Sequence, residues 1–253
     1  MTRITSIRPF IGIITLFSVL VVIYSLTRYR EGFNEKGKVY VVYHIYCNNN
    51  TKSIVQEQVL SIIMSGLYEE VDSIQCFLTG DELVVTDISN FIKKAGNKFK
   101  IVATNMNDRT YERFTLLKIH DIITENDKFL YIHSKGVTQN GSENVYWWRL
   151  FMEYYLMRNV KENISYLDTY DILGVAYTEN VSGPDGPVGP HFSGNFWWST
   201  GKYYKSLKKY IGPQYNDPEA YIFTGNPKFK MLDGKPNGPR NLYFNPITSA
   251  SYL

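Results

Sequence analysis

The residues best placed for chemistry form one short run, His133-Ser134-Lys135-Gly136, where the apolar stretch Phe129-Leu130-Tyr131-Ile132 ends. A strand that leaves the core through an imidazole, a hydroxyl and an ammonium sets polar groups at a strand end, where ligands of open α/β sheets collect. A second run, HFSGNFWWS over 191–199, carries His191 and the Gly194-Asn195 pair at a strand-to-turn junction. Glycine there allows close backbone approach, and asparagine offers a sugar hydroxyl both a donor and an acceptor. Trp197 and Trp198 can supply a platform for a sugar ring, but in a strand they point to opposite faces, so at most one meets the ligand. Arg149, beside Trp147 and Trp148, has the planar fork suited to phosphate. Plainer alternatives stand beside each: a satisfied strand-end histidine for His133, a solvated lysine for Lys135, an ion-paired Arg149.

The elements that must position these groups alternate in type. Strands are expected over 38–46, 73–78, 100–103 and 129–133, and helices over 53–68, 87–95 and 111–123, from β-branched runs and apolar residues at helical spacing. This βαβαβαβ order predicts an α/β fold with a mostly parallel central sheet flanked by helices. Further on, a long helix is expected over 143–164, a strand over 171–177, and a loop over 181–190 because of its glycines and prolines. A basic helix over 202–210 and a short one over 218–223 complete the reading.

The uncharged run over 10–26 is just long enough to cross a hydrocarbon core of ~30 Å. It predicts a short tail over 1–9, a transmembrane anchor over 10–27, a stem over 28–37 and a catalytic domain over 38–253, with a signal peptide as the competing reading. Flanking arginines and lysines leave the side of the membrane undecided, and sequons at Asn49, Asn140, Asn163 and Asn180 are usable only in a lumen. The expected location is thus a single-pass, endomembrane protein. A net charge of +3, spread along the chain, gives no footprint for nucleic acid. Cys47 and Cys76 lack metal-ligand spacing and read as two buried free thiols.

Taken together and in order, the YIHSKG run (131–136), the WWR run (147–149), HFSGNFWWS and Asp217-Pro218-Glu219 resemble a group of viral and bacterial glycosyltransferase-like proteins of GT-A type fold, over roughly 38–229. The resemblance implies a nucleotide-sugar donor and a glycan, glycoprotein or lipid acceptor. It places the donor diphosphate at the fourth strand's end, where most enzymes of that fold hold a divalent metal with Asp-x-Asp. Here those positions read His133-Ser134-Lys135, which leaves metal dependence open and names no metal ligand; an ammonium can meet the diphosphate charge directly. The implied roles are Lys135 with His133 on the diphosphate, Ser134 and Gly136 beside them, and Glu219 as the base for the acceptor hydroxyl. His44, Asn48, Asp81 and Asn105 are implied at the nucleotide, and Arg149, His191, Gly194, Asn195 and Trp197 at donor or acceptor. The rival reading is an inactive carbohydrate-binding or scaffold protein that keeps the fold.

Overall fold

The computed structural model describes residues 21–22, 37–139, 141–179, 181–183, 186–234, 242–245 and 247–252. The chain divides into two units, residues 1–36 and 37–253. Of the first, only Val21 and Val22 are described, both helical and exposed; the anchor expected over 10–27 otherwise lies outside the described residues. Among the described residues no helix is long and apolar enough to cross a membrane, and the expected single-pass membrane location is corrected on that finding.

The second unit opens with β1 (Val39–Cys47), α1 (Thr51–Met64), α2 (Leu67–Glu70) and β2 (Ser73–Gly80). It continues through α3 (Glu82–Ala95), β3 (Phe99–Asn105), α4 (Arg113–Ile122) and β4 (Lys128–His133). Asp81 caps α3 by accepting from the backbone N–H groups of Leu83 and Val84, both at 3.0 Å, so this helix begins earlier than apolar spacing alone suggests. Two helices, α5 (Glu143–Met157) and α6 (Val160–Tyr166), replace the single long one expected. The break is stabilised by the Asn163 amide, which donates to the carbonyls of Tyr155 and Leu156 at the end of α5. That amide is buried, so the Asn163 sequon is no acceptor in the folded chain.

The remaining strands are short: β5 (Ile172–Gly174), β6 (Tyr177–Thr178), β7 (Val181–Gly183), β8 (Gly186–Val188), β9 (His191–Phe192), β10 (Trp197–Thr200) and β11 (Phe229–Met231). Between the last two lie α7 (Gly201–Ser206) and α8 (Asp217–Ala220). The stretch expected as a loop over 181–190 instead holds β7 and β8, paired antiparallel with Gly183 opposite Gly186.

Seven strands form the central sheet in the order β11-β5-β10-β4-β1-β2-β3. All its pairs are parallel except those of β10, which is antiparallel to both β4 and β5. The chain moves outward from β1 through β2 to β3, then returns to lay β4 on the other side of β1. Connections therefore run in opposite directions on either side of the β1–β4 pair, and a crevice opens at the carboxyl ends of those two strands. Register places His44 opposite His133 there. The reversed direction of β10 sets Trp197 opposite Tyr131, which brings the turn before β10 to the same end of the sheet.

Alternation in β4 sends Phe129 and Tyr131 to one face and Leu130 and Ile132 to the other, and each pair joins a separate apolar cluster. Cys47 and Cys76 are buried free thiols, with burial pushing the Cys47 thiol up to about 12. Close packing extends to the backbone at Gly174 in β5, where an added Cβ would lie 2.4 Å from the Phe192 ring. Gly174→Ala is expected to cost about 1–3 kcal/mol through this overlap, read as a lower urea midpoint with an unchanged slope.

Candidate active site

Crossover reversal and the incoming β10 turn create a cleft of about 160 Å³, lined among others by His44, Glu112, His133, Ser134, Lys135, Gly136 and Glu219. The turn after β4 is tight. The Lys135 N–H donates to the His133 carbonyl at 2.8 Å, and Gly136 adopts φ 102°, where a side chain would also press on Arg149 and Val145. Ser134 pins this turn to β1, its N–H donating to the His44 carbonyl and its Oγ accepting from the Tyr46 N–H, both at 2.9 Å.

The turn aims Lys135 inward. Its side chain is buried, with Nζ 3.7 Å from the centroid of the Trp148 ring and 5.8 Å from that of Tyr243. Among the described residues no carboxylate lies within salt-bridge distance of Nζ. Burial lowers the Lys135 pKa, opposed by the fields of Glu219 and Glu112, while Arg149 lowers it further. The ammonium is thus seated on an indole face, within the fields of two carboxylates and in salt-bridge contact with neither.

His133 and His44 are neutral. Burial takes His133 down to about 3, with Lys135 adding to the effect, and takes His44 down to about 4. His133 Nε2 lies 2.9 Å from the Gly194 carbonyl, which fixes the proton on that nitrogen. This corrects the expected contact to the diphosphate: the one N–H of a neutral imidazole is already given to the Gly194 turn. His44 Nδ1 meets Thr115 Oγ1 at 2.7 Å and so ties β1 to α4.

Glu112, which no motif singled out, is central to the cleft. Its Oε2 accepts from the Tyr131 hydroxyl at 2.7 Å and from Asn195 Nδ2 at 2.6 Å, while Oε1 lies 3.9 Å from His133 Nδ1. Asn195 in turn accepts from Trp197 Nε1 at 2.8 Å. Glu112 precedes α4 without capping it, so its side chain is free to reach β4. Only its position just before a helix whose neighbouring strand bears the HSKG turn could have drawn attention to it.

Glu219, in α8, also lines the cleft, with Oε2 3.6 Å from His191 Nε2. The other His191 nitrogen, Nδ1, donates to the Gly189 carbonyl at 2.8 Å. Gly194 has φ 95°, and an added Cβ would fall 2.5 Å from Met152 Sδ and 2.8 Å from Trp148 Nε1. Its turn is thereby pressed against the helix that carries the Lys135 seat.

Several expected contacts lie elsewhere. Trp197 is 1% exposed, stacked between Tyr131 and Tyr204, so it is core rather than a sugar platform. Trp198 is buried on the other face. Arg149 is buried too; Nη1 donates to the Lys135 carbonyl at 3.0 Å and Nη2 pairs with Glu57, so its fork holds the turn rather than a ligand. Asn48 ties β1 to the Val137 carbonyl at 3.1 Å. Asp81 caps α3, and Asn105 accepts from the Asn107 N–H and donates to Thr110, so both are turn residues outside the cleft lining.

The donor set at the strand exit does not make a cation cage. Lys135 ligates nothing while protonated, and one His133 nitrogen is committed to Gly194. Among the described residues no group of three or more His, Cys, Asp and Glu side chains is placed to hold a metal ion.

Among solved structures, HddC from Yersinia pseudotuberculosis is similar over 77% of this chain and 89% of its own, at 12% identity and a TM-score of 0.45. The 4-diphosphocytidyl-2C-methyl-D-erythritol synthase of Anaerococcus prevotii is similar over 81% and 88%, at 10% identity and a TM-score of 0.41. No curated protein matches the chain. The model of the family described as "Domain of unknown function (DUF8361)" matches residues 40–212, more than half of the sequence, and the chain belongs to that family.

Proposed function

We propose that this protein is a GT-A-like glycosyltransferase that moves a sugar from a nucleotide-sugar donor to an acceptor hydroxyl, with Lys135 holding the donor diphosphate. The observation that carries this reading is the buried Lys135 ammonium, based on Trp148 and turned into a cleft at the sheet's reversal point. A lysine in that setting is costly to desolvate unless an anion completes it.

In the proposed reaction the acceptor oxygen attacks the anomeric carbon and the bond from that carbon to the diphosphate oxygen breaks. The electron pair leaves on the diphosphate, where Lys135 stabilises the added charge as it develops. The acceptor proton passes to the Glu219 carboxylate, the less committed of the two cleft carboxylates, because Glu112 is already engaged by Tyr131 and Asn195. His133, Arg149 and Asn195 act as positioning residues. In this scheme Lys135 supplies the countercharge that a carboxylate-held cation supplies in other enzymes of the fold.

Four outcomes are expected. Lys135→Met should weaken UDP binding by about 10- to 100-fold, the worth of charge-assisted hydrogen bonds, in isothermal titration of a protein that unfolds at the wild-type temperature. Since Lys135 binds only as an ammonium and its pKa is lowered from 10.5, UDP affinity should be full at neutral pH. It should fall as pH rises through a value below that of an exposed lysine; a profile flat to about pH 10 would count against the assignment. Donor turnover should survive excess EDTA, and full loss restored by manganese would remove Lys135 from this role. Glu219→Gln should lower kcat by about 10²–10⁴ while leaving donor affinity nearly unchanged, and retained turnover would disqualify Glu219 as base. Nucleotide and sugar binding without turnover in the wild type would favour the rival reading of an inactive carbohydrate-binding protein.

A further inference from the structure

Two tyrosines at the mouth of the cleft take no part in the steps above. The rings of Tyr111 and Tyr215 stand 5.6 Å apart at 81°, making a corner. Both are about half exposed, at 46% and 54%, and both line the cleft with Glu219.

The corner is built rather than incidental. Arg113, the first residue of α4, donates from Nε to the Gly212 carbonyl at 2.7 Å and from Nη2 to the Gln214 carbonyl. The segment carrying Tyr215 is thereby clamped beside the residue that follows Tyr111 by two. Asp217 Oδ2 accepts from the Gln214 N–H at 2.7 Å, and an added Cβ on Gly212 would lie 2.3 Å from the same oxygen. Tyr111 itself adopts φ 46° and ψ −145°, a conformation that bulky residues rarely take. Burial of its ring does not offset that strain, since nearly half of the residue faces solvent.

We infer that this corner is the acceptor subsite and that the acceptor presents a pyranose ring, one face on a tyrosine and one edge against its neighbour. This rests on the transferase reading above. One face of many pyranoses is lined with C–H bonds whose partial positive charge matches the electron-rich face of a phenol ring, while the hydroxyls at the rim meet polar groups. Tyr215 and Glu219 belong to one short segment, so a ring docked on Tyr215 offers its hydroxyl to the carboxylate that takes the proton. A lipid chain fits the site poorly, because His44, Glu112, Ser134, Thr138, Gln139 and Glu219 share the lining.

The test uses two probes on the full chain, a panel of methyl pyranosides and UDP, both read by ligand-observed NMR without requiring turnover. At least one pyranoside should bind the wild type; Tyr111→Ala and Tyr215→Ala should each weaken it about tenfold or more, Tyr215→Phe should retain it, and UDP affinity should not change. Because both side chains are exposed, unchanged unfolding temperatures are expected and confirm folded variants. A wild type that binds no pyranoside, or alanine variants that lose UDP instead, as a nucleobase platform would, overturns the inference. Failure of the transferase reading itself shows separately, as absence of UDP binding to the wild type or its indifference to Lys135→Met.

Discussion

The buried charge of Lys135 is the constraint on which the cleft depends. Removing an ammonium from water costs several kcal/mol even after relaxation, and a cation–π contact returns only about 0.5–2 kcal/mol. Long-range fields from Glu219 and Glu112, both of which raise the Lys135 pKa, offset part of the remainder, and burial still leaves that pKa lowered. Arg149 works the other way electrostatically, yet it holds the Lys135 carbonyl and is itself paired with Glu57. The cleft thus holds an ammonium whose charged form is disfavoured by burial, as its lowered pKa records.

That arrangement is possible because of how β10 enters the sheet. A strand antiparallel to β4 starts where β4 ends, so its preceding turn must lie against the HSKG turn. Gly194 then packs on Met152 and Trp148, His133 donates to the Gly194 carbonyl, and Asn195 reaches Glu112. One hydrogen-bonded network, from Trp197 through Asn195 and Glu112 to Tyr131, rigidifies the cleft floor. A network of fully paired polar groups in low dielectric is stiff, which suits a site that must hold charge in a fixed place.

Local pattern made much of the frame legible. The first four strands and the helices between them follow from β-branched runs and helical spacing, and all four strands occur within a few residues of the expected bounds. Where a tertiary contact intervened, the reading failed: Asn163 capped α5 and divided one expected helix into two. Trp197 shows the same limit at the site. Alternation says that neighbouring tryptophans face opposite ways, but not that both faces of a central strand are covered; with β10 lying between β4 and β5, both are core.

By itself, then, the sequence determined the α/β frame, the strand that ends in His133-Ser134-Lys135 and the glycines that let its turn and the Asn195 turn close, because these depend on neighbours along the chain. The tertiary structure alone decided that Glu112 enters the cleft, that Arg149 serves the backbone rather than a ligand, and that Tyr111 meets Tyr215. Those groups are brought together from segments up to about a hundred residues apart, such as the Arg113 clamp on Gly212. No local periodicity records such a meeting, since it is set by strand order and by the direction in which each strand runs.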